Sequence, residues 1–121
     1  MGAIRGAICA ENTVEDISRK SVELIEAIIS NNAVSPDKIE AIIFSVTDDL
    51  NVCYPAKSVR EQLHLDNVAF MCVQEMRVPD SLPRCIRACV FVKGLAQNKC
   101  VHCYVAEASA LRPDLRQLYK G

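Results

Sequence analysis

From Val14 to Val46 the chain reads VEDISRKSVELIEAIISNNAVSPDKIEAIIFSV. Ile17, Leu24, Ile25 and Ile28 recur at helical spacing, while Glu15, Asp16, Arg19, Lys20, Glu23 and Glu26 fall largely on the other face. Asn12 and Thr13 can each cap this helix, with Glu15 or Asp16 three residues further on. The pattern predicts an amphipathic helix from Val14 that ends near Asn31 and Asn32. Ser35-Pro36-Asp37 is a second N-cap with proline at the first helical position, opening only a turn or two. Ile39 to Val46 is β-branched and apolar, the composition of a buried strand.

Working outward, Ala3 to Ala10 is short, apolar and rich in small residues, and reads as a strand. Strand, long helix and strand predict a right-handed crossover onto one sheet. Downstream, Asp48 to Cys53 is a loop, and Tyr54-Pro55-Ala56-Lys57 starts a second helix with Val59 and Leu63 turned inward. Val68 to Val73 is a short strand, Gln74 to Pro83 a connection, and Cys85 to Lys93 and Lys99 to Ala108 are further strands. Arg112-Pro113-Asp114 ends regular structure, because proline disfavours continued helix or central strand. The fold class is α/β (α+β), a mixed sheet of about five strands with two main helices. No repeat or linker divides residues 1–121, which read as a single domain.

Composition excludes several functions. Lys plus Arg is 14 and Asp plus Glu is 15, so the formal net charge of −1 offers little attraction to nucleic acid or to an anionic membrane. No apolar run approaches the roughly 18 residues of a membrane span. The first residues, with Arg5 inside a short apolar stretch, do not make a signal peptide. The seven cysteines are odd in number and mostly sit in apolar runs, which points to buried free thiols in a reducing cytoplasm. Four glycines without a clustered phosphate-binding pattern argue against a nucleotide loop.

Charged residues interrupt apolar elements. Arg5 lies between Ile4 and Gly6, and Arg87 lies among Cys85, Ile86, Ala88 and Cys89, while Glu75 directly follows an apolar strand. A charge there is costly unless it is paired or meets a ligand. Alternation puts Arg87 on one strand face with Cys85, Cys89 and Phe91, the lining of a pocket. An edge-strand arginine or a structural Arg87–Glu75 ion pair would explain each charge taken alone. Lys57, Arg60 and Arg112 taken alone are solvated surface charges. Cys100-Val-His-Cys103 has the spacing of half a zinc site, but no second half exists and residues three apart on a strand diverge. Cys72 with His64 or His102 carries no recognisable signature of a nucleophile and its base.

Ordered motifs carry more than any single residue. The opening Ile4-Arg5-Gly6-Ala7, the helix start Asn12-Thr13-Val14-Glu15, Tyr54-Pro55-Ala56-Lys57-Ser58-Val59-Arg60, Cys72-Val73-Gln74-Glu75-Met76, Cys85-Ile86-Arg87, Tyr104 and Leu111-Arg112-Pro113-Asp114-Leu115 follow one another along nearly the whole chain. In this order they resemble the AroH-class chorismate mutases. Tyr54 stands where phenylalanine is usual in that family, and Met71 where a threonine is found; the segment from Lys93 to Val101 and the final tail also differ.

The resemblance implies a homotrimer of α/β subunits with active sites in the clefts between neighbours, and a cofactor-free, metal-free rearrangement of chorismate to prephenate. It implies that Arg87 faces the ether oxygen and that Glu75 accepts from the ring hydroxyl and holds Arg87. Arg5 and Tyr104 would bind a carboxylate, and Cys72 would touch the hydroxyl region. Tyr54, Ala56, Lys57 and Arg60 would come from the adjacent subunit, with Met71 near the ligand and Leu111 and Arg112 in a C-terminal lid. Two rivals are a small trimeric deaminase of reactive imines and a non-catalytic module that keeps the pocket. The ordered motifs disfavour the first, and the set Arg5, Glu75, Arg87 and Tyr104 disfavours the second.

Overall fold

The computed structural model describes residues 1–105. Their regular elements are β1 (Gly2–Cys9), α1 (Val14–Asn31), β2 (Ile39–Val46), α2 (Pro55–Gln62), β3 (Ala69–Gln74), β4 (Cys85–Val92) and β5 (Cys103–Tyr104), with 3₁₀ turns at Pro36–Lys38 and Gln97–Lys99. The strands form one five-stranded mixed sheet in the order β3-β2-β4-β1-β5. β4 runs antiparallel to both β1 and β2, so β1 and β2 are parallel to each other with β4 between them. The predicted strand–helix–strand unit is present, and its crossover spans a gap one strand wide that β4 fills from later in the sequence.

Helix α1 begins where its cap chemistry says it should. Thr13 Oγ1 accepts from Asp16 N at 3.1 Å, and Asp16 Oδ2 accepts from Glu11 N at 2.6 Å. The two bonds satisfy amides that have no partner within the helix. At the other end the Asn32 amide donates to Ile28 O and pairs with both backbone groups of Val101, at 2.9 and 2.7 Å. That pairing ties the helix end to the chain segment entering β5.

The apolar stripe of α1 packs on one sheet face. Ile17, Leu24, Ile25 and Ile28 join Ile4 and Ile8 of β1, Ile42 and Phe44 of β2, Ile86 and Val90 of β4, and Val59 of α2 in one core. Truncating a residue as deeply buried as Leu24 to alanine costs about 2–5 kcal/mol. The buried Ser21 hydroxyl donates to Ile17 O at 2.6 Å, so it enters this core satisfied. Gly6 allows the closest approach: a Cβ there would sit 2.7 Å from Cys103 O and 3.0 Å from Leu24 Cδ1. Any side chain would push away β5 on one side and α1 on the other.

The other face of the sheet is open. Register and alternation place Arg5, Arg87, Cys89, Phe91, Ile43, Ser45, Met71 and Val73 on it. Ile43, Met71 and Val73 are 36%, 59% and 41% exposed there.

The strand expected from Lys99 to Ala108 is not formed as read. Gln97–Lys99 is a 3₁₀ turn and regular pairing is confined to Cys103–Tyr104, while Ala106 to Ala108 lie outside the described residues. The reason is competition by side chains. The Gln97 amide bonds both backbone groups of Ala3, at 2.8 and 2.9 Å, and His102 Nδ1 accepts from Arg5 N at 2.9 Å. These side chains take the positions that strand backbone would have filled.

The cap gives a pH test. The Glu11 N–H holds the Asp16 carboxyl below its ordinary value; partial burial pulls the other way, and Arg19 and Lys20 add to the lowering. A folded value below the unfolded one contributes stability above the unfolded pKa, and that contribution fades as pH falls through the folded pKa. Asp16→Asn therefore lowers the melting temperature at neutral pH, and the gap to the parent closes in acid. Thr13→Ala costs about 1 kcal/mol. Thermal melts across the acid range check both, and an Asp16→Asn gap that stays constant with pH contradicts the assignment.

Candidate functional site

β4 puts Arg87 between two neighbours on the open face, opposite Ala7 of β1 and Ser45 of β2. Arg5 pairs with Cys89 two positions along the strand, so it is the diagonal neighbour of Arg87 on the same face. Diagonal positions stand about 7–8 Å apart, well within the reach of two arginine side chains. Tyr104 arrives from the outer side, because β5 pairs it with Ala7. Arg5, Arg87, Tyr104, Ser45 and Ile43 line a common cavity of about 200 Å³.

Glu75 is fixed beside this cavity by its backbone and by its side chain. Its N–H donates to Val46 O at 2.7 Å, extending the β2–β3 pairing by one residue. Its Oε1 accepts from Ser45 Oγ at 2.6 Å and lies 3.3 Å from Arg87 Nε. Arg87 Nε is buried, and no aligned hydrogen-bond acceptor meets it among the described residues, while the side chain as a whole stays 43% exposed. Glu75 thus anchors the guanidinium from behind, and the rest of the fork is open to an anionic acceptor. Ser45 was missed as a site residue in the sequence. Its signal is a lone hydroxyl inside the apolar run Ile42-Ile43-Phe44-Val46.

The remaining expected residues stand elsewhere in the fold. Cys72 pairs with Phe44 on the core side of the sheet. It lies beside the Ala56 backbone at the start of α2, and burial pushes its thiol up. Tyr54 is 74% exposed at a second hollow, of about 340 Å³, which Cys72 also lines. That hollow is larger, but it lacks the paired arginines, so the charge chemistry centres on the smaller one. Lys57 and Arg60 point to solvent from α2, Ala56 is buried, and Met71 is exposed on β3. Leu111 and Arg112 lie outside the described residues.

No thiol near the cavity is set up as a nucleophile. Burial pushes Cys85 to about 12, with Cys9 raising it further and Arg87 pulling the other way; burial alone pushes Cys103 to about 11. Among the described residues no group of three or more His, Cys, Asp or Glu side chains could hold a metal ion. Cys100 Sγ donates to Ala96 O and Cys103 Sγ to Ala27 O, so the half zinc motif is turned to separate backbone acceptors. The arrangement can bind a small anion, fix its orientation and hold a positive charge against it.

The family model described as chorismate mutase type I matches residues 1–115. The chain belongs to the type I chorismate mutase family. It is 39% identical over 114 residues to chorismate mutase AroH of Bacillus subtilis, covering 93% of this chain and 90% of that one. It is 38% identical over 115 residues to chorismate mutase AroH of Thermus thermophilus, covering 93% of each. A solved chorismate mutase from Clostridium thermocellum superposes with a TM-score of 0.86 at 32% identity, covering 91% of this chain and 99% of that chain. The five-stranded mixed sheet with two helices is thus the fold of a family member, as its motifs implied.

The raised thiols make a chemical prediction for this chorismate mutase family member. Alkylation proceeds through the thiolate. In the folded, reduced protein Cys85 and Cys103 should be the last thiols modified at mildly alkaline pH, and both should react on unfolding. Peptide mapping after timed alkylation reads this out, and early labelling of Cys85 would refute its buried, neutral state.

Proposed function

We propose that this chain is a chorismate mutase that rearranges chorismate to prephenate, on the branch leading to phenylalanine and tyrosine. It acts as an isomerase without cofactor or metal. The observation that carries the reading is the Arg87–Glu75–Ser45 cluster facing Arg5 and Tyr104 on the open sheet face. The reaction is a concerted [3,3] shift: the ether C–O bond breaks as a C–C bond forms, with no nucleophile and no proton transfer. Protein can help by holding the folded conformer and by keeping positive charge where electron density builds on the ether oxygen.

Arg87 supplies that charge through its open fork and contacts one carboxylate. Glu75, held by Ser45, accepts from the ring hydroxyl. Arg5 and Tyr104 take a carboxylate. A neighbouring subunit completes the cleft with Tyr54, Ala56, Lys57 and Arg60, and with Met71 and Cys72 beside the ligand; Leu111 and Arg112 close over it. The assembly is a homotrimer of single domains spanning residues 1–121, working in the cytoplasm. Two features support the trimer. The sheet face bearing Arg87 carries exposed Ile43, Met71 and Val73, an apolar surface that calls for cover. Lys57 and Arg60 are solvent-facing on a different element from the Arg87 cluster.

Loss of chorismate absorbance with the purified protein tests the reaction; binding of chorismate without turnover would instead indicate a regulatory module. Arg87→Ala should lower kcat/KM by at least roughly 10³-fold, the scale of removing one preorganised donor. Arg87→Lys should also be severe, since lysine offers a point charge and no fork. Lys57→Ala should act mainly on KM, because a rim charge chiefly helps capture the dianion. Steady-state kinetics on variants checked by circular dichroism decide this, and near-parental kcat in Arg87→Ala would reduce Arg87 to a structural partner of Glu75. Sedimentation should give a trimer, and a stable, active monomer would overturn the inter-subunit site.

A further inference from the structure

Arg5 lies on β1, and its backbone faces the outer edge of that strand. In the β1–β4 pairing the even-numbered positions of β1 are the bonded set, which Ala10 N continues by donating to Arg84 O at 2.9 Å. Ala3, Arg5 and Ala7 therefore turn their backbone groups away from β4. Backbone meets this edge at Ala7, whose O accepts from Val105 N at 2.9 Å. At Ala3 the partner is the Gln97 amide, and at Arg5 the N–H donates to the His102 ring, with Nδ1 accepting at 2.9 Å. An amide N–H can only donate, so Nδ1 is the bare nitrogen and the neutral ring carries its proton on Nε2.

This bond joins two groups of the site. His102 lies two residues before Tyr104, and Arg5 and Tyr104 line the same cavity. The ring fixes the backbone of Arg5 to the segment that carries Tyr104, just before β5 pairs Cys103 and Tyr104 with Gly6 and Ala7. Gly6 leaves β5 no slack, since a Cβ there would lie 2.7 Å from Cys103 O. Arg5 and Tyr104 are thus held at one separation by a side-chain rung at residue 102 and by close backbone contact beside it.

We propose that His102 is a positioning residue for substrate binding: by accepting the Arg5 N–H it sets the spacing of Arg5 and Tyr104 about the substrate carboxylate. The proposal rests on the reading of Arg5 and Tyr104 as carboxylate ligands. It separates His102 from Arg87 by kinetic signature. Misplacing a carboxylate ligand weakens binding, whereas the charge that stabilises the rearrangement is still in place.

The test is steady-state kinetics with chorismate on His102→Leu, His102→Asn, His102→Gln and Arg5→Ala, each checked by circular dichroism and thermal melting. Leucine offers no acceptor. Asparagine puts a carbonyl oxygen near the position of Nδ1, and glutamine puts one near Nε2. His102→Leu should raise KM by about tenfold, the scale of a weakened hydrogen bond to a charged group, with kcat much less affected. His102→Asn should return KM towards the parent and His102→Gln should not, although both keep a polar side chain. If His102→Leu does not fold, the Asn and Gln variants decide by themselves. Equal KM in those two variants, or a parental KM in His102→Leu beside a raised KM in Arg5→Ala, overturns the positioning role alone. A parental KM in Arg5→Ala removes the carboxylate reading of Arg5 and the proposal with it.

Discussion

The ion pair between Arg87 and Glu75 is the constraint around which the rest is arranged. A guanidinium in the middle of a central strand is tolerated only if one face of the sheet is kept free of helices. The chain meets that condition by stacking α1, with Val59 of α2, on the opposite face. The helix-facing side of β4 is a line of buried apolar residues, Ile86, Ala88, Val90 and Val92, and the other side alternates Arg87, Cys89 and Phe91 at intermediate exposure. One strand therefore supplies both the core and the arginine that lines the cavity. Ser45 does the same for Glu75 from β2, between Phe44 and Val46.

The second structural theme is the unusual completion of β1. A third long strand on its outer edge would present only backbone there. Instead the segment after β4 turns and offers Gln97 and His102, then pairs as strand only at Cys103 and Tyr104. Asn32 at the end of α1 clamps the same segment through Val101. Helix end, sheet edge and site are consequently one mechanical unit. The cost is low, because both backbone groups of Ala3, the Arg5 N–H and the Ala7 carbonyl on this edge each have a partner.

Much of this was legible in the sequence. Ile39–Val46 has the bounds read from its β-branched run, and α1 begins at Val14, where Thr13 and Asp16 mark the cap. The pairing of Arg87 with Glu75 was legible too, because a mid-strand cation and a carboxylate following a strand each need a partner. The 97–105 segment was not legible. Cys100, Val101, Cys103, Tyr104 and Val105 fit a strand, and nothing local announces that an amide and an imidazole will replace backbone rungs on a strand nearly a hundred residues earlier. Ser45 was hidden for a similar reason: a hydroxyl costs little on an open face, and its partner becomes visible only once β2 and β3 are in register. Composition and motif order could name the family, but only register could show that Arg5 and Arg87 share a face while Cys72 lies on the other.

The central claim is that a fixed positive charge on Arg87 lowers the barrier of the rearrangement. Its most direct measurement is a semisynthetic protein in which the Arg87 guanidinium is replaced by the uncharged, isosteric urea of citrulline, assayed for kcat with saturating chorismate. The shape and the strand stay; the charge is removed, and one terminal nitrogen with its two N–H donors becomes a carbonyl oxygen. The account predicts a loss in kcat of at least about 10²-fold, the scale of electrostatic stabilisation at a developing anion. A kcat equal to that of the parent protein would contradict it.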